Sequence, residues 1–243
     1  MSPMTDSLRF AEAVSLQDLS TYIKRARRIQ EQGIRLQAVG QVLAAWVPVM
    51  TPGSLLSQLP AVLGLRTVAL AEESRADVTT ELSSISERIA RMNPAETELS
   101  LPPSRLSVPW AAVTPPRSGW EPLGSLPDDH LRAQAASGIA QITEAVPTTA
   151  GAAVVEQVRE QVWGRDLETE SALPADGADA SSAQPLRDAA IPAGAAFGAH
   201  ALNFLAAEGA GGSTAIHRRG RWVRLSSQGG YILCRSTREP ATL

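Results

Sequence analysis

Asp128, Asp129 and His130 form the densest cluster of side chains in the sequence that could carry acid–base or metal chemistry. Two carboxylates beside an imidazole can hold a divalent cation or transfer a proton. The same residues also follow Ser125-Leu-Pro at a predicted helix start. Acidic side chains in a first helical turn offset the positive end of the helix dipole. We therefore expect these residues to stabilise the start of the helix, and we predict no catalytic residue and no metal site.

A second group of residues with chemical potential is a set of arginines near the C-terminus. Residues 213–243 carry six arginines and one acidic residue, whereas residues 94–212 carry six basic and fifteen acidic residues. Arginines on a β-hairpin can contact the phosphates or the minor groove of DNA. The candidate nucleic-acid-binding residues are Arg218, Arg219, Arg221, Trp222, Arg224 and Arg235.

Three features argue against nucleic-acid binding by these arginines. The loop between the two preceding predicted helices is about twenty residues long, where a helix-turn-helix needs three or four. The helix before the hairpin is rich in alanine and glycine and has few side chains that could read bases. The residues from 128 onward are acidic as a whole. We therefore favour the interpretation that the arginines cover a solvent-exposed strand face or pair with the acidic middle segment.

Linear motifs of enzymes and cofactor sites are absent from the sequence. It contains no glycine-rich nucleotide loop, HExxH, GxSxG, CxxC or EF-hand pattern. A single cysteine, Cys234, excludes an internal disulfide and a cysteine-cluster zinc site. We therefore predict no cofactor and expect no enzymatic activity, although an enzyme with a site built from scattered Asp, Glu, Arg and His would also lack such motifs.

The first part of the chain, residues 1–93, is predicted to form an α-β-β-β-α unit. Its first helix begins near Ser15, which has capping-box spacing to Asp18, and ends at Gly33. Gly40 marks either a turn between two strands or a bend within one strand. The predicted strands and second helix are residues 34–39, 41–50, 63–71 and 85–92.

Residues 94–127 contain eight prolines and cannot form a long helix. They also contain Trp110 and Trp120, which a flexible linker would not need. We therefore predict an extended, Pro-rich strap that packs as a connector, with a flexible linker as the alternative.

The last part of the chain, residues 128–243, is predicted to be a helical domain that ends in a β-meander. Its helices are expected at 128–146, 150–163 and 192–207, with an acidic mobile loop at 168–185. Strands are expected at 214–218, 221–226 and 230–236. Three helices followed by a hairpin is also the element order of a winged-helix domain.

The sequence as a whole predicts an α+β protein of two domains joined by the strap. Lys24 is the only lysine beside 21 arginines, which is typical of a GC-rich bacterial genome. The N-terminus lacks a signal-peptide pattern and no apolar run suits a membrane span, so we expect a soluble cytoplasmic protein. The leading hypothesis is a non-enzymatic module that binds a protein partner or itself, with nucleic-acid binding and a motif-free enzyme as alternatives.

Overall fold

The computed structural model describes residues 6–52, 57, 59–147, 149–173, 186 and 188–236. The chain is an α+β protein, as the sequence predicts. Its contacts divide it into two compact units, residues 1–48 with 64–114 and residues 49–63 with 115–243. None of the described helices has the length and hydrophobicity that a membrane crossing requires.

The described residues form five α-helices and eight strands. The helices are α1 (Ala13–Ile29), α2 (Leu82–Arg91), α3 (Asp128–Ala145), α4 (Ala152–Trp163) and α5 (Gly194–Ala201). The strands are β1 (Ser7–Arg9), β2 (Ile34–Met50), β3 (Ala61–Thr80), β4 (Glu98–Ser100), β5 (Glu121–Pro127), β6 (Ser213–Arg219), β7 (Trp222–Ser227) and β8 (Gly230–Arg235). A short 3₁₀ helix spans Pro109–Ala112.

Two sheets contain all eight strands. In the smaller sheet, β1 pairs antiparallel with β4, and Leu8 lies opposite Leu99. The larger sheet has the strand order β2-β3-β8-β7-β6-β5. Its last four strands pair antiparallel, with a shift in register between Pro122 and Gly124 of β5.

In the first unit, β2 is one bent strand rather than two. Alternate residues up to Ala38 are buried, and the buried positions resume at Leu43, so the alternation shifts by one residue between them. Gly40 lies in that interval with a φ of +60°, a conformation that glycine adopts at little cost. The buried Tyr22 of α1 donates a hydrogen bond from its hydroxyl to the carbonyl of Ala45, 3.3 Å away, which ties the helix to the strand.

In the second unit, small residues bring helices close to their neighbours. A Cβ atom on Gly198 of α5 would lie 3.1 Å from the side chains of Ile232 and Val49. A Cβ atom on Gly138 of α3 would lie 2.2 Å from the ring of Trp163. The core of this unit therefore depends on tight packing at these glycines.

Several predicted elements differ from the observed ones. The third helix of the last part is Gly194–Ala201 and not residues 192–207. It ends because Asn203 adopts a φ of +58°, while the Phe204 and Asn203 amides donate to Ala199 and His200 in a Schellman motif. α1 begins at Ala13 with no side-chain cap, so the predicted capping box is wrong.

The winged-helix interpretation is also wrong. β5 precedes α3 and pairs with β6, and α5 has eight residues with most of its glycines and alanines buried. β1, β4 and β5 were not predicted, and the third strand extends beyond residues 63–71 to Ala61–Thr80. Within the predicted acidic loop, residues 174–185 lie outside the described part of the chain.

Candidate arginine–aromatic site

The β-meander places most of the candidate arginines on one face of the sheet. Residues directly opposite each other on antiparallel strands project to the same face. Trp222 lies opposite Arg219 on one side and Arg235 on the other, and Arg224 lies opposite His217. We call the surface formed by His217, Arg219, Trp222, Arg224, Tyr231 and Arg235, together with Trp120, the arginine–aromatic face.

The other two candidate residues lie elsewhere. Arg218 pairs with Val223 and therefore projects to the opposite face of the sheet, next to Glu121 in register. Arg221 lies in the turn between β6 and β7. The structure therefore brings four of the six candidates together, while Trp222 itself is buried at 8% exposure.

Arg224 is the centre of the face. Its guanidinium carbon lies 4.8 Å from the ring centre of Trp120 and 5.8 Å from that of Tyr231, so it makes cation–π contacts with both. Its Nε donates to the Ser226 hydroxyl at 3.1 Å. Burial lowers the pKa of Arg224 below its usual value. Among the described residues, no carboxylate pairs with Arg224.

The segment before β5 holds Trp120 in place. The guanidinium of Arg219 donates to the carbonyl of Ser118, and the Trp120 indole donates to the carbonyl of Pro116 at 3.2 Å. Gly119 has a φ of +74°, and a Cβ atom there would overlap Arg219. Trp120 was missed as a site residue; its occurrence in a Pro-rich segment was the only signal in the sequence.

His217 contributes a polar atom without a partner. Its Nδ1 is buried and has no hydrogen bond within the described residues. Burial lowers the pKa of His217, and the neighbouring Arg224 charge lowers it further.

We expect Arg224→Met to raise the pKa of His217, because the substitution removes a positive charge. The value should stay below the ordinary 6.5, since burial is the larger cause. In the wild type, the folded state binds the His217 proton less readily than the unfolded state does. The contribution of this group to stability is therefore constant above about pH 6.5 and falls as the pH drops below it. Ring NMR signals followed against pH give the pKa, and an unchanged value in the variant would contradict the assignment.

The Asp128 and His130 side chains are both hydrogen-bonded to other parts of the second unit. The Asp128 carboxylate is buried and accepts from the Ala206 amide at 2.7 Å and the Thr214 hydroxyl at 2.6 Å. The ring nitrogens of His130 contact the Glu168 carbonyl at 2.8 Å and the Ser171 hydroxyl at 3.1 Å.

Other groups with chemical potential are also engaged or buried. Over the part of the chain that the structure describes, no three His, Cys, Asp or Glu side chains are grouped as metal ligands. The Cys234 thiol is buried, and burial raises its pKa well above the usual range, so it is a weak nucleophile.

One cleft of about 300 Å³ lies in the second unit, where α3 and α4 meet residues 165–168. A motif-free enzyme would need a cavity of this kind. Several of its polar side chains bond to each other: Gln134 donates to Glu168 at 2.6 Å, and Arg165 donates to Gln141 at 2.9 Å.

Solved structures share the fold of this chain at low sequence identity. A putative DNA polymerase III beta subunit from Eubacterium rectale has a TM-score of 0.51 at 7% identity, covering 97% of this chain and 66% of that chain. A sliding clamp from Bartonella birtlesii bound to griselimycin has a TM-score of 0.50 at 11% identity, covering 98% and 65%. This chain therefore has a sliding-clamp-like fold and spans slightly less than two thirds of the length of those proteins.

Sequence comparison identifies families whose function is unknown. No curated protein matches the chain. Residues 4–112 match the domain of unknown function DUF8010, and residues 115–239 match the domain of unknown function DUF8185. Because the second match covers more than half of the chain, the protein belongs to the DUF8185 family.

Proposed function

We propose that this protein is a non-enzymatic module of the bacterial cytoplasm that binds a protein partner, or a second copy of itself, through the arginine–aromatic face. Tryptophan, tyrosine and arginine are the residues that most often dominate the binding energy of protein interfaces. The face combines all three types around Arg224. A single buried cysteine is in keeping with a reducing compartment.

The observation that carries the proposal is the position of Arg224 between two aromatic rings. The rings restrict the guanidinium before any partner arrives, so less conformational entropy is lost on binding. The loop at Ser118 and Gly119 fixes one of these rings through Arg219.

The fold comparison supports the same proposal. One neighbour is described as a polymerase subunit and the other as a sliding clamp. A subunit works in association with other chains, and we carry over only that general role.

A Trp120→Ala/Tyr231→Ala variant tests the proposal. Wild type, this variant and an Arg91→Ala control, altered on the exposed end of α2, are immobilised and exposed to bacterial lysate. We expect proteins retained by the wild type and the control to be depleted about tenfold or more with the double variant, because two anchor residues are lost. Sedimentation of each protein over a range of concentrations measures self-association. Identical retained proteins in all three samples, together with a strict monomer, would refute the proposal.

Nucleic-acid binding is the second candidate function. It is favoured by the three arginines on the face, Arg219, Arg224 and Arg235, in a part of the chain with few acidic residues. Binding to a mixed-sequence DNA duplex is measured at low and moderate salt for wild type and for Arg219→Ala/Arg221→Ala/Arg224→Ala. Salt-sensitive binding that the triple variant loses would support this function, and its absence would exclude it.

A further inference from the structure

We infer that Arg224 receives a carboxylate of the partner, so that the ligand of the arginine–aromatic face is an acidic peptide segment. This inference rests on the proposed function and specifies the chemistry of the partner.

The charge on the face is the first argument. The rows of facing residues are Ala215–Ser226–Tyr231, His217–Arg224–Leu233 and Arg219–Trp222–Arg235, and none of them contains an acidic residue. The nearby Glu121 faces Arg218 and therefore projects to the opposite side of the sheet. Among the described residues of β6, β7 and β8, this face therefore carries arginines and no carboxylate, which makes it complementary to carboxylates.

The hydrogen-bonding capacity of Arg224 is the second argument. Its Nε is bonded to Ser226, whereas its two terminal nitrogens have no hydrogen-bond partner among the described side chains and carbonyls. These two nitrogens form the planar fork that matches both oxygens of a carboxylate. Arg224 is half-buried, so an incoming carboxylate would meet a charge that water screens incompletely.

The aromatic rings favour a peptide over a nucleic acid. Bases stack on exposed ring faces, but Trp222 is buried, and both Trp120 and Tyr231 contact the guanidinium of Arg224. A phosphate backbone needs several available cations in a row, and Arg219 already donates to the Ser118 carbonyl. A single forked site flanked by apolar rings fits one carboxylate of a peptide better.

The probe is an acetylated, amidated octaglutamate peptide added to the ¹⁵N-labelled chain of 243 residues, with octaglutamine as the neutral control. We expect saturable shifts of the Arg224 Nε–H and Trp120 indole signals with octaglutamate and none with octaglutamine. Arg224→Lys keeps the charge but loses the fork, so its dissociation constant should rise about tenfold. The matched control Arg218→Lys, on the opposite face, should stay within about twofold of the wild type. Unchanged backbone signals of remote residues report that each variant is folded.

Three outcomes would overturn the inference. They are no saturable shift with octaglutamate, equal weakening by Arg218→Lys and Arg224→Lys, and tighter binding of octathymidylate at the same signals, which would identify a nucleic acid instead. If octaglutamate does not bind while partner capture still requires Trp120 and Tyr231, the inference of an acidic ligand is wrong but the proposed function stands. If capture is also independent of these two residues, the proposed function fails with it.

Discussion

We expect Asp128→Ala to lower the free energy of unfolding by about 2–4 kcal/mol, because two hydrogen bonds to a buried charged group are lost. Asp128 is 2% exposed, and its carboxylate accepts from the Ala206 amide and the Thr214 hydroxyl. Alanine leaves the Ala206 amide without its carboxylate acceptor and leaves the Thr214 hydroxyl with the Ser227 hydroxyl, 2.8 Å away, as its remaining partner. The residues before β6 would keep the main-chain bond from the Asp128 amide to the Gly212 carbonyl but lose both side-chain bonds to the helix start. Urea denaturation followed by circular dichroism measures the change.

Asp129→Ala is the matched control, because the two aspartates are adjacent in the first turn of the same helix. The Asp129 side chain is 50% exposed and bonds to Arg132 and the Gly209 amide, so its loss should cost under about 1 kcal/mol. The cost of Asp128→Asn should lie between these two values. The asparagine oxygen can still accept one hydrogen bond, but its NH₂ group faces the other donor, which then has no acceptor there. Equal costs for Asp128→Ala and Asp129→Ala would show that both act only through the helix dipole.

The sequence predicts the β-meander closely, because its signals are local. Residues alternate as in strands on both sides of the turns at Arg219-Gly220 and Gln228-Gly229. The three strands predicted from this pattern begin and end within one residue of β6, β7 and β8. The sequence prediction does not assign the arginines to faces, and it includes Arg218, which projects to the opposite face, and Arg221, which lies in a turn. Alternation does not reveal Trp120, since that contact depends on a loop held by Arg219 and Ser118, which are far apart in sequence.

Other elements escape prediction because distant residues determine them. β1 and β4 have three residues each and exist because Leu8 and Leu99 pair across a separation of about ninety residues. β5 contains two prolines that argue against a strand, yet it is an outer strand of its sheet, where missing amide donors are tolerated. By contrast, the early end of α5 has a local cause, Asn203 in a left-handed conformation, which the sequence could have suggested.

Trp163→Ala should be the most destabilising of the substitutions considered, at about 3–5 kcal/mol, because it empties a large buried volume. Trp163 is 4% exposed and stacks on Phe197 with ring centres 4.6 Å apart. Its ring also covers Gly138, so α3, α4 and α5 all depend on it. Urea denaturation of the variant gives the loss directly, and a cost below about 1 kcal/mol would show that the ring is not a core anchor.

Gly138→Ala should lower the free energy of unfolding in the wild type and raise it in the Trp163→Ala variant. In the wild type the new methyl group would lie 2.2 Å from the Trp163 ring, so overpacking by about 1–3 kcal/mol exceeds the gain in helix propensity. In Trp163→Ala the methyl group has room, and the propensity gain of about 1 kcal/mol remains. Ala136→Gly, at an exposed position of the same helix, should cost about 1 kcal/mol in both backgrounds and calibrates propensity alone. If Gly138→Ala has the same effect with and without the Trp163 ring, the close approach of α3 and α4 does not explain why glycine occupies this position.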